Sequence, residues 1–308
     1  MTTAFITHAD CRKHDMGSGH PEQPARLAAI QDRLIAAGID SHLEHHEAPF
    51  ATREHLLRAH VAYYIDDVFA NAPQPGRTRR LDPDTAMNEH SLAAALRAAG
   101  AVVLATDLVI KGQIENAFCA VRPPGHHALS NRSMGFCIFG NIVIAARHAL
   151  EQHKLKRVAI VDFDVHHGNG TEEMIAADAR VLFCSSFQHP FYPFQGAETR
   201  SDHIVNTPLP ERSGGEAFRK AVSERWLPAL ERFKPEMIFI SAGFDAHRDD
   251  PLANLGFVEA DYAWVTREVM QLAERHAKGR IVSSLEGGYD LDALGRSVTE
   301  HIRVLAGL

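Results

Sequence analysis

The sequence predicts an α/β fold, a single mostly parallel β-sheet set between helical layers. Three observations lead there. Short apolar runs alternate with longer stretches of helical spacing through most of the chain, the rhythm of βαβ units. Several of these runs, such as Val158-Ala159-Ile160-Val161, are apolar at every position, as strands covered on both faces are. Four of them are followed directly by clusters of His, Asp, Glu, Asn and Gly, and ligand sites of open α/β sheets lie just beyond the carboxyl ends of strands.

Taken in order, Ala4-Phe5-Ile6-Thr7 is the first strand, and His8–Glu22, rich in His, Gly and Pro, is a long loop. From Pro24 to Gly38, Leu27, Ile30, Leu34 and Ile35 fall on one helical face. Thr52 caps a further helix, with Glu54 in its first turn. Asn71–Asp84 combines Pro, Gly and Arg in an exposed loop, and Ser91–Lys111, largely Ala and Leu, is a strong helix ending at Gly112. Strands are then expected at Ala117–Val121, Val158–Val161, Val181–Cys184, Met237–Ser241 and Ile281–Leu285. Helices are expected at Ile142–Gln152, Gly215–Arg232, Glu259–His276 and near Leu291–Leu305. Connections of this kind pair strands in parallel. No repeat, low-complexity tract or linker divides residues 1–308, so one domain is expected.

Composition narrows the class of function. With 45% apolar and 23% charged residues the chain is ordinary for a globular protein. A net charge of −7 leaves no basic surplus to neutralise phosphates, which argues against nucleic-acid binding. Apolar runs of membrane-spanning length are not expected, and the N-terminus lacks the basic and apolar regions of a secretory signal. Cys11, Cys119, Cys137 and Cys184 show no CxxC spacing and read as buried reduced thiols. A cytoplasmic, bacterial protein is the expectation.

Chemistry concentrates in Val158–Thr171, VAIVDFDVHHGNGT. The strand delivers Asp162, and Asp164, His166, His167 and Asn169 follow, before Thr171, Glu172 and Glu173 begin a helix. Carboxylates and imidazole at this spacing are sensible zinc ligands. Three further clusters follow other strands: Arg122-Pro-Pro-Gly-His126-His127, Ala242-Gly-Phe-Asp245-Ala-His247 and Glu286-Gly287-Gly288-Tyr289. Each alone has a bland reading as a cap or a turn. A parallel sheet brings all four to one edge, and that convergence is the physical case for an active site.

These segments, with His20-Pro-Glu-Gln-Pro-Ala-Arg26 and the Gly135–Asn141 stretch GFCIFGN, resemble the zinc-dependent histone deacetylase family in its class II branch, with its bacterial amidohydrolase and acetylpolyamine amidohydrolase relatives. The resemblance covers nearly the whole chain. It implies the arginase–deacetylase fold, with a sheet of about eight strands. It further implies one zinc ion held by Asp164, His166 and Asp245, with a fourth position open for water and substrate. His126 and His127 match the family's tandem histidines, His126 pairing with Asp162 and His127 with Asn169. A carboxylate partner raises an imidazole's pKa and an amide does not, so His127 is the better base and His126 the more positive. Tyr289 matches the tyrosine that hydrogen-bonds the scissile carbonyl, with Gly287 and Gly288 letting its loop swing. Amide hydrolysis by zinc-activated water follows. His167 matches no catalytic role. Potassium is implied behind the zinc, near Asp162, Asp164, His166, Ser185 and Ser186, where the residue reading alone allows a simple strand-end turn at Ser185-Ser186.

Gly135 and Phe136 match the acetyl-lysine tunnel, with Tyr192 opposite. Acetylpolyamine-preferring relatives carry a Glu seven residues after the last zinc aspartate, and here that position is Leu252, which favours lysine. Asp84, Asp249, Asp250 or Glu198 could still supply charge to a polyamine. Phe139-Gly140-Asn141, Phe187 and the Phe194-Gln195 rim depart from the family pattern and bear on substrate preference. The expected activity is removal of acetyl (acyl) groups from lysine ε-amines in peptides or proteins. Hydrolysis of acetylpolyamines or other small N-acyl amines is the alternative. An arginase-like two-manganese enzyme wants more bridging carboxylates, and a silent acyl-lysine binder should lack a ligand or Tyr289. Partners are acetylated substrates, without nucleic acid or membrane; a homo-oligomer is left open.

Overall fold

The computed structural model describes residues 2–308. From the N-terminus the chain forms β1 (Thr3–Thr7), α1 (Ala25–Ala36), β2 (Leu43–Glu47), α2 (Arg53–Leu57) and α3 (Ala62–Ala70). The small hairpin β3 (Arg79–Arg80) and β4 (Ala86–Met87) precedes α4 (Ser91–Ile110), β5 (Asn116–Cys119) and α5 (Asn141–Glu151). Next come β6 (Val158–Asp162), α6 (Asn169–Ile175), β7 (Val181–Gln188) and β8 (Ile204–Leu209). The chain closes with α7 (Gly215–Ala221), α8 (Leu227–Phe233), β9 (Ile238–Ala242), α9 (Glu259–His276), β10 (Ile281–Leu285) and α10 (Leu291–Leu305).

Eight strands form one sheet in the order β2-β1-β5-β10-β9-β6-β7-β8, every neighbouring pair parallel. Helices α4 and α5 pack over one face, and α1, α10, α9 and the α7–α8 run form the other layer. Strands β5, β6, β9 and β10 are buried at every position, which is why they read as largely apolar runs. They are also the four adjacent central strands, so the four polar clusters leave the sheet side by side.

Several expectations are corrected. Strand β2 was not anticipated: LEHHE buries one residue fully and pairs only with β1, and its charged and His side chains suit an exposed edge. Strand β8 also went unforeseen; Pro208 is tolerated because β8 is the opposite edge. A hairpin interrupts the end of the expected Asn71–Asp84 loop, α3 is additional, and the His8–Glu22 loop contains a 3-10 turn at Ala9–Arg12. A π-turn at Val222–Trp226 links α7 to α8 within the expected Gly215–Arg232 helix. Ser185 and Ser186 lie inside β7 and not in a strand-end turn. Helix α6 starts at Asn169, two residues before Thr171. By length and composition α4 is apolar enough to cross a membrane, contrary to the expectation from the sequence; most of it is buried against the sheet and α5. All four cysteines are free and buried.

A buried ionic network anchors the first loop to the segment that follows the carboxyl end of β5. Glu22, Arg26 and Arg122 are all fully buried. Glu22 accepts hydrogen bonds from Arg122 Nε, from Arg122 Nη2 at 2.7 Å and from Arg26 Nη1 at 3.0 Å. Arg122 Nη1 also donates to the carbonyls of Cys11 and His14, both at 2.9 Å. Burial alone would raise the Glu22 pKa, but the two guanidiniums, Arg122 first, bring it down to about 2. A depressed carboxyl pKa gives stability that is present above the unfolded value and lost as pH falls towards the folded one. Glu22→Gln should therefore cost roughly 3 kcal/mol near neutral pH. In urea unfolding followed against pH, the gap between wild type and this variant should close from about pH 4.5 down to pH 2; a gap independent of pH would contradict the assignment.

Candidate active site

The ends of the four central strands are cross-braced by carboxylates that accept main-chain N–H bonds from neighbouring loops. Asp245, after β9, accepts from Val165 N at 2.9 Å. Asp164, after β6, accepts from His166 N at 2.9 Å and from Gly287 N, after β10, at 2.8 Å. Glu286 accepts from Gly125 N and His126 N, after β5, at 2.7 and 3.1 Å, and from the Ser241 hydroxyl at 3.1 Å. Asp250 accepts from Tyr289 N at 2.7 Å and Asp290 N at 3.3 Å. A buried carboxylate needs such donors, and here each set of bonds fixes one loop on another.

Asp164, His166 and Asp245 come together as expected. His166 Nδ1 stands 3.0 Å from Asp164 Oδ1 and 3.1 Å from Asp245 Oδ2, and one donor atom from each residue lies within 4.8 Å of the others. Burial, together with Asp164 for the latter, pushes Glu286 and Asp245 up to about 7. So dense a group of buried carboxylates calls for a compensating cation. Three N/O donors with the fourth direction open to a cavity suit a catalytic zinc ion. Gly287 supplies clearance here: a Cβ would stand 2.1 Å from Asp245 Oδ2. It is required for this close approach, and it does not line the cavity, contrary to its expected place among the substrate residues.

The tandem histidines differ in their partners. His126 Nδ1 bonds Asp162 Oδ2 at 3.0 Å, and its Nε2 is 3.8 Å from Asp164. Burial opposes its charge, but Asp164, Asp162 and Glu286 hold its pKa well above the ordinary histidine value. His127 Nδ1 bonds the Asn169 carbonyl oxygen at 2.7 Å. That oxygen can only accept, so His127 carries its proton on Nδ1 and presents a lone pair on Nε2. Burial, with the charges of His126 and His166, drives the His127 pKa well below the ordinary value. Gly135 has φ +55°, and a Cβ there would lie 2.4 Å from the His127 ring.

A cavity of about 190 Å³ opens above this floor, lined by Asp84, His127, Gly135, Phe136, His166, Phe191, Tyr192, Leu252 and Tyr289. Among the expected substrate residues, Asp84, Gly135, Phe136, Tyr192 and Leu252 line it. Phe191, which sequence reasoning missed, stacks on His166 with centroids 5.6 Å apart. The Tyr289 ring meets Phe136 edge-on at 5.9 Å. Burial and Asp245 keep the Tyr289 phenol well above its usual pKa, hence protonated and able to donate. Of the four acids considered for a polyamine, Asp84 alone reaches the cavity. Asp250 is spent on the Tyr289 loop, Asp249 pairs with Arg296 at 3.1 Å, and Glu198 is almost fully exposed.

Arg26 was quoted in a motif but given no role. Its Nε donates to Gly288 O at 2.6 Å and its Nη2 to Glu286 O at 2.5 Å, clasping the Tyr289 loop from beneath. His167, outside the machinery as expected, bonds Glu172 at 2.7 Å and packs on Phe187. Gly140, a departure from the family pattern, leaves room for Met174, whose Cε would be 2.5 Å from a Cβ. Ser185 pairs in register with Asp162, and its buried hydroxyl has no hydrogen-bond partner.

The chain is similar to known proteins along nearly its whole length. The histone deacetylase domain matches residues 20–305. A histone deacetylase-like amidohydrolase of Pseudomonas aeruginosa is 38% identical over 88% of this chain and 73% of its own. A probable deacetylase of Archaeoglobus fulgidus is 37% identical over 95% of this chain and 82% of its own. The crystal structure of the HDA15 HD domain superposes with a TM-score of 0.92 at 34% identity, covering 99% of this chain and 90% of that one. The eight-stranded parallel sheet is thus that of the arginase–deacetylase fold, and the chain belongs to the histone deacetylase family of deacetylases and amidohydrolases.

Proposed function

We propose that the chain removes acetyl, and other acyl, groups from the ε-amine of lysine in peptides or proteins, using one zinc ion held by Asp164, His166 and Asp245. The observation that carries this reading is the pair His126–His127, two adjacent imidazoles with opposite electrostatic character beside a three-donor metal set. Zinc bound there would acidify a water molecule and polarise the acyl carbonyl.

The remaining work falls to the chain's own groups. His127, neutral and oriented by Asn169, takes the proton of the attacking water on Nε2. As the C–N bond breaks, the same proton passes to the leaving amine, giving acetate and a free lysine. His126, held positive beside Asp162, places charge near the developing oxyanion. Tyr289, kept protonated by burial, donates its phenol hydrogen to that oxygen. Phe136 and Tyr192 provide apolar walls for the tetramethylene stem, with Gly135 beneath. Leu252 offers a polyamine no counter-charge, which favours lysine. Potassium is proposed behind the zinc, bound by oxygens around Asp162, Asp164, His166, Ser185 and Ser186; the unpartnered Ser185 hydroxyl supports it.

A fluorogenic acetyl-lysine peptide should be hydrolysed, the activity should vanish with a chelator and return with zinc, and N-acetylputrescine should be the poorer substrate. Faster turnover of N-acetylputrescine would reassign the substrate to small amines, and activity indifferent to chelation would overturn the mechanism. Tyr289→Phe should lower kcat by about 10²–10³ with zinc content per chain unchanged; near wild-type turnover would remove the phenol from the reaction. Asn169→Asp gives His127 a charged partner and raises its pKa. Since the base must be unprotonated, the acidic limb of the kcat/KM profile should move to higher pH, and an unmoved limb would argue against His127 as the base.

A further inference from the structure

Far from the strand ends, a second group of side chains has metal-ligand character. Asp107 lies in the last turn of α4, His148 on α5 and His153 just beyond α5. His148 Nε2 and His153 Nε2 stand 2.7 and 2.6 Å from one atom, Asp107 Oδ1. A donor atom from each residue lies within 4.8 Å of the others. His148 is buried, whereas the side chains of His153 and Asp107 are 15% and 30% exposed, so the cluster is held from below and open to solvent above.

We propose that Asp107, His148 and His153 form a second zinc-type cation site, separate from the strand-end site, that staples α4 to α5. Two imidazoles and one carboxylate are a recognised donor set for zinc. Two cations flank the cluster. Lys111 Nζ approaches the other carboxylate oxygen, Oδ2, at 3.7 Å, and Arg58 pairs with Glu54 and Glu151. Zinc–nitrogen bonds of about 2.0–2.1 Å set ligand atoms roughly 3.3 Å apart. The histidines must then draw back from Oδ1, which His153, partly exposed and beyond the helix end, has room to do. His55 on α2, its ring centroid 5.5 Å from that of His148, is the nearest further imidazole. Its Nδ1 accepts the Thr52 N–H, and the fourth position is left to water.

The test uses chelated, desalted protein re-equilibrated with zinc chloride, with zinc per chain measured by inductively coupled plasma mass spectrometry. His153→Gln and Asp107→Asn should each bind one equivalent fewer than wild type, whatever number the wild type binds, and His153→Gln should leave peptide hydrolysis unchanged. Equal zinc content in wild type and both variants would overturn the proposal. A thermal readout isolates the site from the strand-end ligands. In an Asp245→Asn background, zinc at about a hundredfold excess over its dissociation constant should raise Tm by roughly 5 °C. Adding His153→Gln should abolish that rise; the same rise in both backgrounds, or a rise in neither, would refute the site.

Discussion

A carboxylate taken out of water must find hydrogen-bond donors, and this structure places its acids where the nearest donors belong to another loop. Asp245 reaches the backbone of the β6 loop, Asp164 that of the β10 loop, Glu286 that of the β5 loop, and Asp250 the amide of Tyr289. Four segments widely separated in sequence are thereby locked at main-chain precision. Two of the same acids, Asp164 and Asp245, also belong to the three-donor group that could hold a metal ion. Bracing and the candidate metal set thus share carboxylates, so these acids cannot be neutralised singly without loosening a loop as well.

That floor also divides the labour of two neighbouring histidines. His126 and His127 share a backbone turn and equal burial, yet one faces Asp162 and Asp164 and the other an amide. The carboxylates stabilise an imidazolium; the amide fixes a tautomer without adding charge. Helix α6 contributes by beginning at Asn169, so that this side chain is held in the first turn of a helix whose Thr171 N–H also bonds the carbonyl of His126.

What could be read from the sequence follows from burial. Strands covered on both faces announce themselves as continuous apolar runs, and the polar residues just past them stand out against that background. Edge strands β2 and β8 lack the signal, since half of their pattern answers to solvent. Within the site, side chains with a distinctive chemistry and spacing were legible: Asp164, His166, Asp245, the histidine pair and Tyr289. Arg26, Glu286 and Asp250 were not, because their partners are mainly backbone atoms, which carry no residue-specific trace. Asp250 shows the difficulty well: as a letter beside Leu252 it suggested a surface charge for substrate, and in the fold it is buried under the Tyr289 loop. Phe191 could have been suspected only from its adjacency to Tyr192.

The position of β10 has a consequence for how the molecule is made. It is the last strand in the chain, yet it lies in the middle of the sheet, hydrogen-bonded to β5 on one side and β9 on the other. Until it is in place, β2-β1-β5 and β9-β6-β7-β8 share no ladder. Without β10 each half-sheet would present an inner edge of buried-type residues, and unpaired edges of that kind invite association with other chains. Arrival of the final strand closes both edges and delivers Glu286 and Tyr289 to the site in the same step. A chain lacking residues 281–289 would lose both the strand that joins the two half-sheets and the Glu286 and Tyr289 side chains.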